Sequence, residues 1–140
     1  MRDKSWNIDA TRMVYHQFGP GEAFVAGLEQ FALEHGIREA AVTSCIGSFR
    51  QLNLRNLCRY DEGNPEFERS SLNENLELVS AEGYIQPLPD SESGIRVHIH
   101  IAAARPSGEM IGGHCEEATT FTGAFLYLHI LDEADGQKSR

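Results

Sequence analysis

The segment TTFTGAFLYLHIL at 119–131 places the tightest constraint on what this chain can fold into. Read as a strand, it puts Phe121, Phe125, Tyr127 and Leu131 on one face and Leu126, Leu128 and Ile130 on the other. A strand that is apolar on both faces has to be covered on both. A helix of the same chain can cover one side, and a neighbouring subunit is the expected cover for the second.

The sequence offers one clear helix for that role. Residues 11–18, TRMVYHQF, alternate as a strand, and GPGE at 19–22 breaks it. Phe24, Leu28, Phe31 and Ala32 then recur at helical spacing and form one apolar stripe. Glu22 suits the positive N-terminal end, His35 the C-terminal end, and Gly36 the position just beyond it. The spacing predicts a helix over about 21–35.

The remaining segments are β-like. AAVTSCIGS reads as a buried strand ending at Gly47-Ser48, and LNLRNLC as a second strand with Leu52 and Leu54 on one face. RYDEGNPEFERSSLN at 59–73 is polar, contains Gly63, Asn64 and Pro65, and reads as an exposed hairpin loop or a mobile excursion. LELVSAEGYI at 76–85 and RVHIHIAAA at 96–104 return to strand character, with PLPDSESG at 87–94 a loop between them. One helix with about six strands joined by short turns predicts an α+β domain with a largely antiparallel sheet. The domain spans 11–131, with residues 1–10 an N-terminal extension and 132–140 a C-terminal tail that frays.

On 96–104, Val97, Ile99 and Ile101 share the core face, so His98 and His100 share the other. Side chains two residues apart on a strand project in parallel about 7 Å apart, close enough for two imidazoles to reach one ion. Pro106-Ser107-Gly108 turns the chain back, and Gly112-Gly113 permits close backbone approach just before His114. A hairpin can therefore bring His114 opposite the His98/His100 face. Three imidazoles suit zinc, which in catalytic sites leaves a fourth position open. The same spacing also fits three half-buried polar positions with no ion. His16, His35 and His129 lie on other elements and read as structural or exposed.

Around this group, Glu77, Glu116 and Glu117 are candidate carboxylates, Glu117 or Glu77 as a proton acceptor, and Cys115 adjoins His114. Three cysteines, Cys45, Cys58 and Cys115, without CxxC spacing read as reduced thiols. With no signal-like or membrane-length apolar run, the expected compartment is the cytoplasm. No HExxH, Ser-His-Asp order or phosphate-loop pattern occurs, and GEMIGG and SCIGS match no nucleotide fingerprint. A net charge of −9 argues against direct DNA binding, which draws on cations that neutralise phosphates. Arg50, Arg55 and Arg59 are the candidates for a local basic patch and read more simply as a solvated strand face.

Three linked stretches, GPGEAFVAGLEQFALEHGIREAAVTSCIGS, LELVSAEGYI and RVHIHIAAARPSGEMIGGHCEE, resemble the PPC (plants-and-prokaryotes conserved) domain. The likeness runs over about 11–131. It implies an α+β subunit that assembles as a homotrimer, in a fold resembling acetolactate decarboxylase, whose zinc is held by three histidines. The matching positions here are His98, His100 and His114, which implies a divalent metal, zinc in the first instance. Cys115 stands where the family more often carries an aliphatic residue. In plants the domain follows AT-hook segments that grip the DNA minor groove, but no Arg-Gly-Arg-Pro occurs in this chain. The resemblance thus implies a metal-binding trimer of enzymatic character, with a small-molecule ligand at the metal. The alternative is a DNA-associated regulatory or partner-binding module without catalysis. A third reading is a trimeric scaffold whose histidines only fill polar positions.

Overall fold

The computed structural model describes residues 4–133. Six strands and one helix follow in the order β1 (Ile8–Phe18), α1 (Phe24–Glu34), β2 (Ala40–Asp61), β3 (Asn64–Leu72), β4 (Leu76–Pro87), β5 (Ile95–Ala104) and β6 (Met110–Glu133). Every strand pairing is antiparallel. The sheet order is β1-β6-β5-β4-β2-β3, with β6 also pairing β2. Pairing therefore runs in a closed circuit, β2 to β4 to β5 to β6 and back to β2, so four strands wrap round the core rather than lying flat.

The circuit is possible because β2 and β6 are long, 22 and 24 residues. Each was expected as shorter pieces. In the structure the chain runs on through Gly47-Ser48 and through Gly112-Gly113 as bent strand, and register shifts absorb the bends, among them those between Val42/Ser44 and Gly47/Phe49. An extra residue at each shift resets the alternation, so a strict two-residue period stops being visible in the sequence.

The stretch 59–73, expected as an exposed hairpin loop or a mobile excursion, is a hairpin, with paired strand on both sides of a two-residue turn. β2 continues to Asp61, Glu62-Gly63 make the turn, and β3 returns in register from Asn64 opposite Asp61. Both turn residues have positive φ, 50° and 80°, the combination a two-residue type I′ hairpin requires. Almost every side chain of β3 is exposed, so its residues had no buried face to produce a hydrophobic period.

Buried side chains form one core cluster, with Phe18, Phe24, Leu28, Phe49, Leu52, Ile99, Leu126 and Leu128 at its centre. α1 contributes Phe24, Leu28 and Ala32, three of the four stripe positions read from its sequence. Its start differs from expectation. Glu22 turns back to accept the Gly19 N–H, and the cap position, Ala23, offers no side-chain hydrogen bond. Glu117 of β6 takes that role. Its carboxylate accepts the N–H groups of Val25 at 2.6 Å and Ala26 at 3.0 Å, where the helix N-terminus is positive, and also that of Ala118. β1 begins at Ile8, inside the segment read as an N-terminal extension. The C-terminal tail read at 132–140 lies from residue 134 onward outside the described residues.

On β6 the core face carries Leu126, Leu128 and Ile130, while Phe121, Phe125 and Tyr127 stand out on the other face at 38–45% exposure. Met13, Tyr15 and Ile46 are likewise exposed. Register joins them into one outer apolar face: Ile46 lies opposite Phe125, and Tyr15 opposite Tyr127. No helix among the described residues is long and apolar enough to cross a membrane.

Candidate metal centre

Ile99 and Ile101 bury into the core, and strand alternation turns His98 and His100 to the outer face of β5. After the turn at 105–109, β6 pairs back on β5 with His114 directly opposite His100. One ring nitrogen from each of His98, His100 and His114 lies within 4.8 Å of the others. His98 Nε2 and His100 Nε2 are 3.2 Å apart. Zn–N bonds of about 2.0–2.1 Å at a tetrahedral angle place two nitrogens about 3.3–3.4 Å apart. The donor set and its spacing thus fit a tetrahedral ion bound by neutral imidazoles.

The glycine pair before His114 acts as the sequence anticipated. A Cβ on Gly112 would land on the Ile101 carbonyl oxygen, and Gly113 holds φ 138° with a Cβ that would collide with the Asn56 amide. The space matters because Asn56 clamps this part of β6. Its Oδ1 accepts the His114 N–H at 3.0 Å and its Nδ2 donates to the Gly112 carbonyl at 3.1 Å. His98 is steadied from β4, where it pairs with Tyr84 and its Nδ1 lies 2.9 Å from the Tyr84 hydroxyl. An Nδ1–H donated to that oxygen fixes the tautomer that leaves Nε2 bare for an ion. Asn56 and Tyr84 were not picked out in the sequence, because only the strand register shows that they face the histidines.

Burial and neighbouring charge keep His98 and His114 in their ligating form. Burial pushes the His98 pKa down to about 4, assisted by Arg96, His114, His100 and Arg55. His114 is also lowered, first by burial and then by Arg55, His100 and Arg96, with Glu116 pulling the other way. Both rings are therefore neutral at pH 7.

The other candidates separate from the site. Cys115 points to the core at 3% exposure, and burial raises its thiol to about 12, with Glu117 and Glu116 adding to the rise. It stays a protonated thiol on the wrong face of β6. Glu117 is engaged at the start of α1. Glu77 pairs with Ala104, four residues along β5 from His100, or about 13 Å of strand. Glu116 is turned to Arg69, at 3.0 Å. Glu82 also faces the histidines, opposite His100 in register and exposed. Arg55, read as part of a solvated face, stacks its guanidinium 4.5 Å over the Phe67 ring, and its Nε is sealed from solvent.

Comparison with known proteins follows the same lines. The family model of the Plants and Prokaryotes Conserved (PCC) domain matches residues 8–132. A metal-containing protein from Archaeoglobus fulgidus superposes with a TM-score of 0.79 at 26% identity, covering 94% of this chain and 87% of that one. A protein from Bacteroides thetaiotaomicron, provisionally named as DNA-binding, gives 0.73 at 19% identity over 84% of this chain and 78% of its own. A stretch of 95 residues is 32% identical to the bifunctional protein GlmU of Synechococcus sp. (strain JA-3-3Ab). That match takes in 68% of this chain but only 13% of the longer protein.

Proposed function

The chain belongs to the Plants and Prokaryotes Conserved domain family, and from that footing we propose that it is a metal-binding protein holding one zinc ion on His98, His100 and His114. The observation that carries this reading is the convergence of three imidazole nitrogens to within 4.8 Å on the outer face of β5 and β6. The metal-containing relative from Archaeoglobus fulgidus, matched over most of both chains, supports it. A bound divalent ion supplies Lewis acidity. His100 is exposed, so the face beside it is open to a small ligand, which gives the site its enzymatic character. Tyr84 and Asn56 act as positioning residues, holding the His98 ring and the His114 backbone. Metal analysis of protein purified without an affinity tag should find about one zinc per chain. Protein that stays metal-free after incubation with zinc and removal of excess overturns the reading.

The same proposal includes a homotrimer. Met13, Tyr15, Ile46, Phe125 and Tyr127 form an outer apolar face, which two further copies would cover. Light scattering at micromolar concentration should give three times the mass of one chain, and a clean monomer rejects the assembly.

A second reading, a DNA-associated or partner-binding module, is favoured by the name of the Bacteroides relative. The charge of −9 opposes direct contact with phosphates. A mobility shift at low salt that weakens steeply as salt is added would favour it over the metal reading. No shift is the expected result.

A further inference from the structure

We propose that Arg55 and Arg96 form the anion-binding half of the histidine site, so that the ligand it takes is a small oxyanion bridging a bound metal and the Arg55 guanidinium. The inference rests on the metal reading and names the chemical class of its ligand.

Charge balance is the first ground. Three neutral imidazoles do nothing to offset a divalent ion, and in many metal sites a carboxylate ligand supplies that compensation. Here the charged side chains outside the triad that act on both His98 and His114 are the guanidiniums of Arg55 and Arg96. In a chain of net charge −9, this is a local concentration of positive charge that the ion itself would increase. Glu116 is ion-paired to Arg69, and Glu82 is exposed and lies outside the converging nitrogens. An anion in the open position relieves the imbalance.

Hydrogen bonding is the second ground. Among the described residues Arg59, Arg69 and Arg105 each pair with a carboxylate, whereas Arg55 and Arg96, like Arg12, Arg38 and Arg50, show no such pair, and of these arginines Arg55 has a buried donor. The Arg55 Nε–H is cut off from solvent and has no acceptor. A buried, unsatisfied donor on a charged group is costly, and native proteins keep few of them. Placement is the third ground. Leu54 turns into the core, so Arg55 beside it faces outward, as the histidines do, and its guanidinium is fixed over Phe67. Arg96 stands two residues before His98 and so on the same face of β5. The planar guanidinium presents paired donors that match two oxygens of a carboxylate or phosphate, leaving a further oxygen or edge for the metal.

Cobalt-loaded protein provides a test that needs no substrate, because the visible spectrum of Co(II) reports its coordination. Titration with acetate and with inorganic phosphate should perturb the spectrum and saturate, while chloride at equal ionic strength has a much smaller effect. Saturation by one of the two oxyanions at far lower concentration identifies which class the site prefers. In Arg55→Met the oxyanion affinity should fall by about 10-fold or more, the loss expected for one charge-assisted hydrogen bond. Arg96→Gln, at an exposed position, should weaken it by a smaller factor and cannot be dismissed as a folding defect. Cobalt stoichiometry is measured for each variant and should remain that of wild type. A cobalt spectrum that ignores both oxyanions, or variants that bind them as tightly as wild type, overturns the proposal and leaves the metal reading intact. Failure of wild type to take up cobalt at all overturns both, and is seen before any anion is added.

Discussion

His98→Ala/His100→Ala should lose its zinc to background while keeping its fold. Two of three imidazoles are removed, and a single remaining histidine cannot hold the ion against dialysis. Both side chains sit on the outer face, so the core beneath, Ile99 and Ile101, is untouched. Circular dichroism and oligomeric mass should therefore match wild type, apart from whatever stability the metal itself contributes. His114→Ala should behave similarly, although the backbone clamp from Asn56 survives because it engages the His114 N–H rather than its ring. Zinc retained at wild-type stoichiometry in the double variant places the ion elsewhere.

The second large effect belongs to Glu117 and concerns stability. Its carboxylate accepts two N–H groups at the start of α1 and one from Ala118, so Glu117→Ala leaves three donors without that acceptor and removes a negative charge from the positive end of the helix. Loss of an N-cap costs about 1 kcal/mol, and hydrogen bonds to a charged group raise that to about 2 kcal/mol. For a domain of this length the midpoint of thermal unfolding should fall by about 5–8 °C, with zinc content unchanged. Glu117→Gln, which keeps acceptor capacity without the charge, should fall between. An unchanged midpoint, or loss of zinc in a well-folded variant, would contradict the capping role.

Glu117 also marks where the sequence stops being informative. As a residue three places after His114, it invited a role at the histidines. Its two helix partners are 92 and 91 residues away in the chain, and no local pattern announces a carboxylate that caps a distant helix. Asn56 and Tyr84 were hidden for the same reason, since their meaning depends on which strands pair and in what register. The histidines were legible because their geometry is local. Alternation fixes the faces of His98 and His100, and a short turn with two glycines returns His114 to the adjacent strand. Helix α1 was legible by its apolar stripe, though not its start. The hairpin β2–β3 was legible as a reversal of the chain but not as two paired strands, because side chains polar and exposed on both faces carry no period. The full lengths of β2 and β6 were concealed by bulges, each of which flips the alternation partway along.

The outer face joins the two proposals. The apolar residues on β1, β2 and β6 and the histidines on β5 and β6 lie on the side of the strands away from the core. Assembly that covers the apolar part would also narrow the access of solvent to the imidazoles, which strengthens any charge interaction there. A variant that breaks the assembly, such as Phe125→Glu, should therefore be assayed for zinc affinity as well as for mass.

The most direct measurement is anomalous X-ray scattering on crystals of untagged protein, recorded above and below the zinc edge. The prediction is a single strong peak per chain, about 2.0–2.1 Å from His98 Nε2, His100 Nε2 and one ring nitrogen of His114, present above the edge and weak below it. The contradicting result is a zinc-containing preparation with its peak elsewhere, or imidazoles that stay within hydrogen-bond distance of one another, as at 3.2 Å here, with no anomalous signal between them after zinc is supplied.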